Sequence, residues 1–328
     1  MSGRGTPHFK LKAETPRLVV TADDEAIFLA IYRHQLLDAA TIRQLLPERS
    51  PDRLGKRLRQ LVDAGYLVRP LQQRKLRRLE GGSWPLAYTL GNRAARHIKD
   101  RFSLPVRTDR WASSGERLSP LHIEHTLEQG RLLVQLQTSV RRHAPRLDFE
   151  YPDQILTRLR PDLLKGTRLP YRFTTRVDWH GWREVEGLIP DGWCAIRYLD
   201  APKNKRSRYL FIELDRGTET IEPSARRLQS RKFWQGNSVL RKLVIYSQGF
   251  KNESHTKIFG IPTFQVLFVT TTAVRVKTMI AAYQAHLAQT VSPVRFLFTD
   301  QEALAANDGD VLAAPVKDAS GSPMALAG

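Results

Sequence analysis

The sequence predicts an α+β protein of two folded domains, a small helical one in front and a larger α/β one behind. Three observations carry this expectation. Three short helical patterns follow one another within residues 21–65 and pass directly into a hairpin pattern. After Ser119-Pro120 helix and short-strand patterns alternate, the order of an α/β sandwich. The length of 328 residues supplies chain for two hydrophobic cores.

Residues 1–20 are expected to form a loose basic arm carrying Arg4, Lys10, Lys12 and Arg17. Thr21 is placed to cap the first helix, and Asp23, Asp24 and Glu25 complement the positive end of its dipole. Ala26, Ile27, Ala30 and Ile31 make its apolar stripe. A second helix spans about 39–46, with Ile42, Leu45 and Leu46 inward, and Pro47 ends it. Ser50-Pro51 opens the third, Leu54, Leu58, Leu61 and Val62 recur at helical spacing, and Gly65 closes it. Tyr66-Leu67-Val68 and Leu86-Ala87-Tyr88-Thr89-Leu90 then read as two strands around a basic tip that holds Arg74, Lys75, Arg77 and Arg78. The first domain is therefore 21–100, and residues 101–119, with prolines, serines and charges but no periodicity, form a linker.

The second domain, 120–300, opens with a long helix from Leu121 to about Val140, its core positions Leu127, Leu132, Leu133, Leu136 and Val140. Short strand patterns fill 147–199, and Tyr209-Leu210-Phe211-Ile212 is a central strand. A helix around 221–248, a strand at 265–270, a helix at 273–289 and a strand at 294–297 complete it. Residues 301–328 are rich in Ala, Gly, Pro and Asp with almost no aromatic content, which predicts a disordered tail.

The formal net charge is +19, and the stretch to residue 110 holds 22 Lys/Arg against 11 Asp/Glu, so +11 of it lies at the front. A field of that sign and size points to a polyanion, most simply nucleic acid. Cys194 is the only cysteine, which excludes a disulfide framework and a cysteine-based zinc site. No run approaches the length of a membrane helix or a signal-peptide core, so a cytoplasmic protein without membrane contact is expected. No Gly-rich phosphate loop or Ser/His/Asp spacing is present, which argues against ATP hydrolysis. His122 and His125 read as a polar helix face, and Trp179, Trp182, Trp193 and Trp234 as core packing.

One constellation carries chemistry. Side chains alternate along a strand, so Glu213 and Asp215 leave the central strand on one face, and Gly217 breaks the strand after them. Asp191 opens the preceding strand, 193–199, and a Lys/Arg-rich turn at 203–208 joins the two as a hairpin that brings Asp191 to Glu213. Carboxylates so close repel unless a cation neutralises them, and Mg²⁺ is the usual oxygen-seeking choice. The alternative is that Glu213 and Asp215 pair with nearby arginines.

Two resemblances follow from these residues. "LVDAGYLVRP" and "YTLGNRAARHI" resemble the winged helix-turn-helix superfamily over residues 21–100. The resemblance implies that the third helix enters the major groove of double-stranded DNA, with Arg53, Lys56, Arg57 and Arg59 facing it and the wing cations Arg74, Lys75, Arg77 and Arg78 on phosphates or the minor groove. The second domain resembles the PD-(D/E)xK nuclease fold. More narrowly, "IPDGW", "FIELDRGTE" and "LRKLVIYSQGF" resemble the replication-relaxation family of plasmids and other mobile elements, over most of 20–280.

That likeness implies DNA binding or processing in replication, relaxation or mobilisation. It would have Asp191, Glu213 and Asp215 hold Mg²⁺, with Glu124 as an outer ligand. Active members of the wider fold carry a lysine where this chain has Asp215, so Lys242 from the next helix would take that role, or activity would be lost. A homodimer, and a relaxase or replication initiator as partner, are further expectations. Two other readings stay open: a transcription regulator whose second domain dimerises or senses a ligand, and a non-catalytic accessory factor.

Overall fold

In the computed structural model, residues 18–75, 86–106, 117–166, 171–202 and 206–327 are described. The chain divides into two compact units, one running to Val134 together with a short segment at 165–168, the other holding Gln135–Leu164 and the chain from 169 onward. The division falls inside one long helix rather than in the expected linker, of which 107–116 lie outside the described residues.

In the first unit most local signals act as read, except that Ala26 is exposed and Ser50 makes no side-chain cap bond. Helix α1 (Ala22–His34) is capped by Thr21, whose side chain and backbone exchange hydrogen bonds with Asp24. Asp38 caps α2 (Ala39–Leu45), and proline starts α3 (Pro51–Asp63). Leu54, Leu58 and Leu61 bury one side of α3, with Ile27, Phe28 and Ile31 of α1 in the same unit's interior. Strands β1 (Leu37–Asp38), β2 (Leu67–Val68) and β3 (Ala87–Leu90) form an antiparallel sheet in the order β1-β3-β2. Helix α4 (Asn92–Phe102) follows β3. Gly91 precedes it because its amide donates to the Tyr66 carbonyl at 2.6 Å, and a Cβ there would stand 2.3 Å from the Gly65 carbonyl oxygen. Helix α5 (Pro120–Arg142) spans the division between the units.

The second unit is built on a seven-stranded sheet in the order β12-β11-β10-β9-β8-β7-β4. The strands are β4 (Leu147–Glu150), β7 (Gly192–Tyr198), β8 (Ser207–Leu214), β9 (Gln265–Thr270), β10 (Phe296–Asp300), β11 (Val316–Asp318) and β12 (Pro323–Met324). β8, β9 and β10 run parallel, and the other pairs are antiparallel. Tyr209 to Leu214 are all buried, which fits a strand covered on both faces. A separate hairpin, β5 (Phe173–Arg176) and β6 (Val185–Leu188), places Phe173 among Phe211, Tyr246 and Phe264.

Helix α6 (Pro152–Leu159) follows β4, and the helix expected at 221–248 is three pieces. Short α7 (Ala225–Leu228) and α8 (Lys232–Gln235) precede α9 (Val239–Lys251), because Ser238 caps a new helix start. Helices α10 (Ser254–Phe259) and α11 (Ala273–His286) follow. The expected disordered tail is corrected as well. Residues 301–328 contribute helix α12 (Gln301–Ala306) and the two strands β11 and β12, with Val311, Leu312, Val316 and Leu326 buried. Arg208 donates to the carbonyls of Ala325 and Leu326 at 2.8 and 3.0 Å, tying the end of the chain to β8. Trp193 and Trp234 are buried in the apolar core, with Trp179 and Trp182 packed against it. No helix among the described residues is long and apolar enough to cross a membrane.

Candidate functional site

The end of β8 assembles a charged cluster. β7 and β8 pair with Gly192 opposite Ile212, so the next step along the ladder sets Asp191 beside Glu213. Asp191 then accepts a hydrogen bond from the Leu214 amide at 2.8 Å. Lys242, in the first turns of α9, reaches Glu213 at 3.0 Å and Glu219 at 3.1 Å. Tyr246, one turn further on the same face, donates to the other Glu213 oxygen at 2.5 Å. Lys242, brought in on sequence grounds, does meet Glu213.

Glu213 is 2% exposed. Burial lifts its carboxyl to about 7; Asp191 pushes the same way, while Lys242 and Tyr246 oppose. Burial alone would lower the Lys242 ammonium, but Glu213, Asp191 and Glu219 overcome it and hold the group charged.

Because Glu213 is raised above its ordinary 4.5, the folded chain takes up a proton between about 4.5 and about 7. The stabilisation from that carboxyl is full below 4.5 and disappears as pH rises through 7. Measured by urea unfolding, wild type should lose about 3 kcal/mol relative to Glu213→Gln over that interval. A difference that stays flat with pH would contradict a raised Glu213.

Asp215 does not join the cluster. Arg275 of α11 grips it through two bonds, of 2.6 and 2.8 Å, Thr270 donates a third, and the same guanidinium holds the Glu219 carbonyl at 2.7 Å. Asp215 lies where β8 has ended, and the following elements supply an arginine to it. Gly217, at φ +78°, makes the turn that carries Glu219 back towards Lys242. Glu124 lies on α5 in the first unit.

The donor set does not fit the three-carboxylate magnesium site expected from the sequence. Asp215 is held by Arg275 and Thr270, and both Glu213 oxygens are engaged by Tyr246 and Lys242. Among the described residues no group of three or more His, Cys, Asp or Glu side chains is placed to hold a metal. The ammonium of Lys242 supplies the positive charge that the carboxylates require. Cys194 offers no nucleophile, since burial raises its thiol far above the usual range.

In the first unit Arg53, Lys56 and Arg59 are exposed on α3, and none forms an ion pair among the described residues. At 3.6 residues per turn they lie within roughly a third of the helix circumference. Arg57 departs from the expectation. Its guanidinium clasps both oxygens of Asp24, whose side chain is 1% exposed, and also donates to the Val19 carbonyl at 2.7 Å. Arg57 therefore fastens α3 to the start of α1. Of the expected wing cations, Arg77 and Arg78 lie outside the described residues, and Arg74 and Lys75 belong to a 3-10 turn, Leu71–Lys75, with only their backbone described.

Sequence reading assigned no role to Glu219 or Arg275. The signal for Glu219 was the glycine turn just before it, which returns the chain to the strand end; no local signal pointed to Arg275. A family model described as Replication-relaxation matches residues 28–238. No curated protein and no solved structure matches.

Proposed function

The chain belongs to the replication-relaxation family, and from that footing we propose that it binds double-stranded DNA during replication or relaxation of a mobile element. The first unit would act as a winged helix with α3 in the major groove. The observation that carries this reading is the exposed cationic face of α3, formed by Arg53, Lys56 and Arg59, none of them in an ion pair among the described residues. A helix presenting such a face to a groove gains phosphate and base-edge contacts together. The net charge of +19 supplies the long-range attraction.

A reading in which the second unit cuts DNA has one observation in its favour, the meeting of Asp191, Glu213 and Lys242. Against it stand the engaged oxygens of Glu213 and the arginine clamp on Asp215. We assign the unit a binding role without cleavage.

The test uses the full chain and a labelled duplex followed by fluorescence anisotropy across a salt series. Wild type should show a steep fall of affinity with salt, about 0.9 in the logarithmic slope per phosphate neutralised. Replacing Arg53, Lys56 and Arg59 together by alanine should weaken binding at least tenfold and make that slope shallower by roughly 3. Unchanged affinity in the triple variant would remove α3 as the contact. Supercoiled plasmid incubated with Mg²⁺ or Mn²⁺ should stay intact; nicking that vanishes in Glu213→Ala would establish the cleaving reading instead.

A further inference from the structure

Between Glu219 and α9 the chain makes a closed loop, 220–238, whose neck is fixed by Val239 and Leu240 amides donating to the Thr220 and Ile221 carbonyls at 3.1 and 3.0 Å. The loop carries Arg226, Arg227, Arg231 and Lys232, all exposed and none in an ion pair among the described residues. The loop's one acidic side chain, Glu222, is engaged by His286 at 2.8 Å, and the neighbouring Glu219 by Lys242. Arg231 lies over the Trp182 ring, 5.6 Å from its centroid. Four cations in seven residues are therefore held on one ordered loop without local neutralisation.

A cavity of about 200 Å³ opens in this loop, lined by Thr220, Ser224, Arg227, Phe233, Gly236 and Asn237 among others. That is below the roughly 300–1,000 Å³ that encloses whole small molecules, but it accommodates a small anion or one group of a larger polyanion. The N-terminus of α9 does not supply the donors, because its first amides already bond to Thr220, Ile221 and Ser238. The donors are side chains. Arg227 uses only its Nε, towards the Lys232 carbonyl at 3.3 Å, and both of its terminal nitrogens have no hydrogen bond among the described residues. The side chains of Ser224 and Asn237 have none there either. Gly236 makes room for the guanidinium, since a Cβ at that position would come within 2.2 Å of an Arg227 terminal nitrogen.

We infer that loop 220–238 is a second DNA-contacting surface, with one backbone phosphate seated at Arg227, Ser224 and Asn237 and the neighbouring phosphates along Arg226, Arg231 and Lys232. The inference rests on DNA being the partner, as proposed above. It adds a contact in the second unit that neither the α3 face nor the carboxylate cluster provides. Fixed phosphate contacts of this kind set register on the duplex and add salt dependence without reading sequence.

The experiment measures anisotropy of a labelled duplex with the full chain over a salt series, for three variants. One replaces Arg226, Arg227, Arg231 and Lys232 by glutamine. A second, Arg226→Gln with Lys232→Gln, leaves the Trp182 and Gly236 contacts intact, so that it reads charge without disturbing the loop. The third, Gly236→Ala, preserves every charge and displaces only the Arg227 guanidinium. The quadruple variant should bind at least tenfold more weakly with a slope shallower by roughly 3 to 4, the double variant should lose roughly 2 in slope, and Gly236→Ala roughly 1. Wild-type affinity and slope in all three, with binding still lost in the α3 triple variant, would overturn this inference and leave the proposed function standing. Absence of duplex binding by the wild-type chain would overturn both.

Discussion

Replacing Lys242 with methionine is expected to destabilise the second unit by about 3–5 kcal/mol, the cost of leaving the buried Glu213 carboxylate without its counter-ion. Methionine fills much of the lysine's length, so the loss reflects charge more than volume. Glu213 is 2% exposed, so it lacks the solvation that would take over from the ammonium, and the partly exposed Asp191 beside it adds repulsion. Glu213 would respond by holding its proton more tightly, and since it already titrates at about 7, the destabilisation should grow as pH rises above neutrality. Urea unfolding of Lys242→Met, Glu213→Gln and the double variant at pH 7 separates the pair from its surroundings. Glutamine needs no counter-ion, so the double variant should be more stable than the sum of the single losses predicts, with a coupling of about 1–3 kcal/mol. Strict additivity would mean that Lys242 acts through Asp191 and Glu219 rather than Glu213.

This cluster shows how far a sequence carries and where it stops. The meeting of Asp191 and Glu213 follows from period-two alternation and a hairpin, both local properties of residues 190–214, and the structure places them together. Lys242 and Tyr246 lie one helical turn apart, so a shared face was legible, though not which carboxylate they would meet. Asp215 was misassigned because its partner, Arg275, is 60 residues away on a helix whose placement against the end of β8 no local pattern announces. The C-terminal segment failed for a related reason. Val311, Leu312, Val316 and Leu326 are too few to suggest a core, yet they bury themselves because a sheet edge already exists to receive them. Composition measures what a segment could fold by itself, whereas these residues fold onto something else.

Arg57→Ala is expected to destabilise the first unit by about 3–5 kcal/mol, although the helical wheel of α3 sets it among DNA-facing cations. The partner it would abandon, Asp24, is buried and lies 33 residues upstream. Burial works to raise the Asp24 carboxyl, but the hydrogen bonds from Arg57 and Thr21 hold it below its ordinary value. Stability from that carboxyl is present above its unfolded value of 3.8 and lost as pH falls through the lowered one, so the advantage of wild type over the variant should be full near neutrality and narrow as pH falls below 3.8. Arg57→Lys should recover only part of the loss, since an ammonium cannot reproduce the two-pronged grip on both oxygens. Duplex binding then separates the two roles an arginine on this helix can have. At a temperature where the variant is still folded, Arg57→Ala should keep the wild-type salt slope, because the phosphates contacted are unchanged. Arg53→Ala, with no ion-pair partner among the described residues, should leave stability within about 0.5 kcal/mol and make the slope shallower by roughly 1. If Arg57→Ala lost slope at unchanged stability, Arg57 would have to leave Asp24 when DNA binds, and α3 would be held to α1 by its apolar contacts alone.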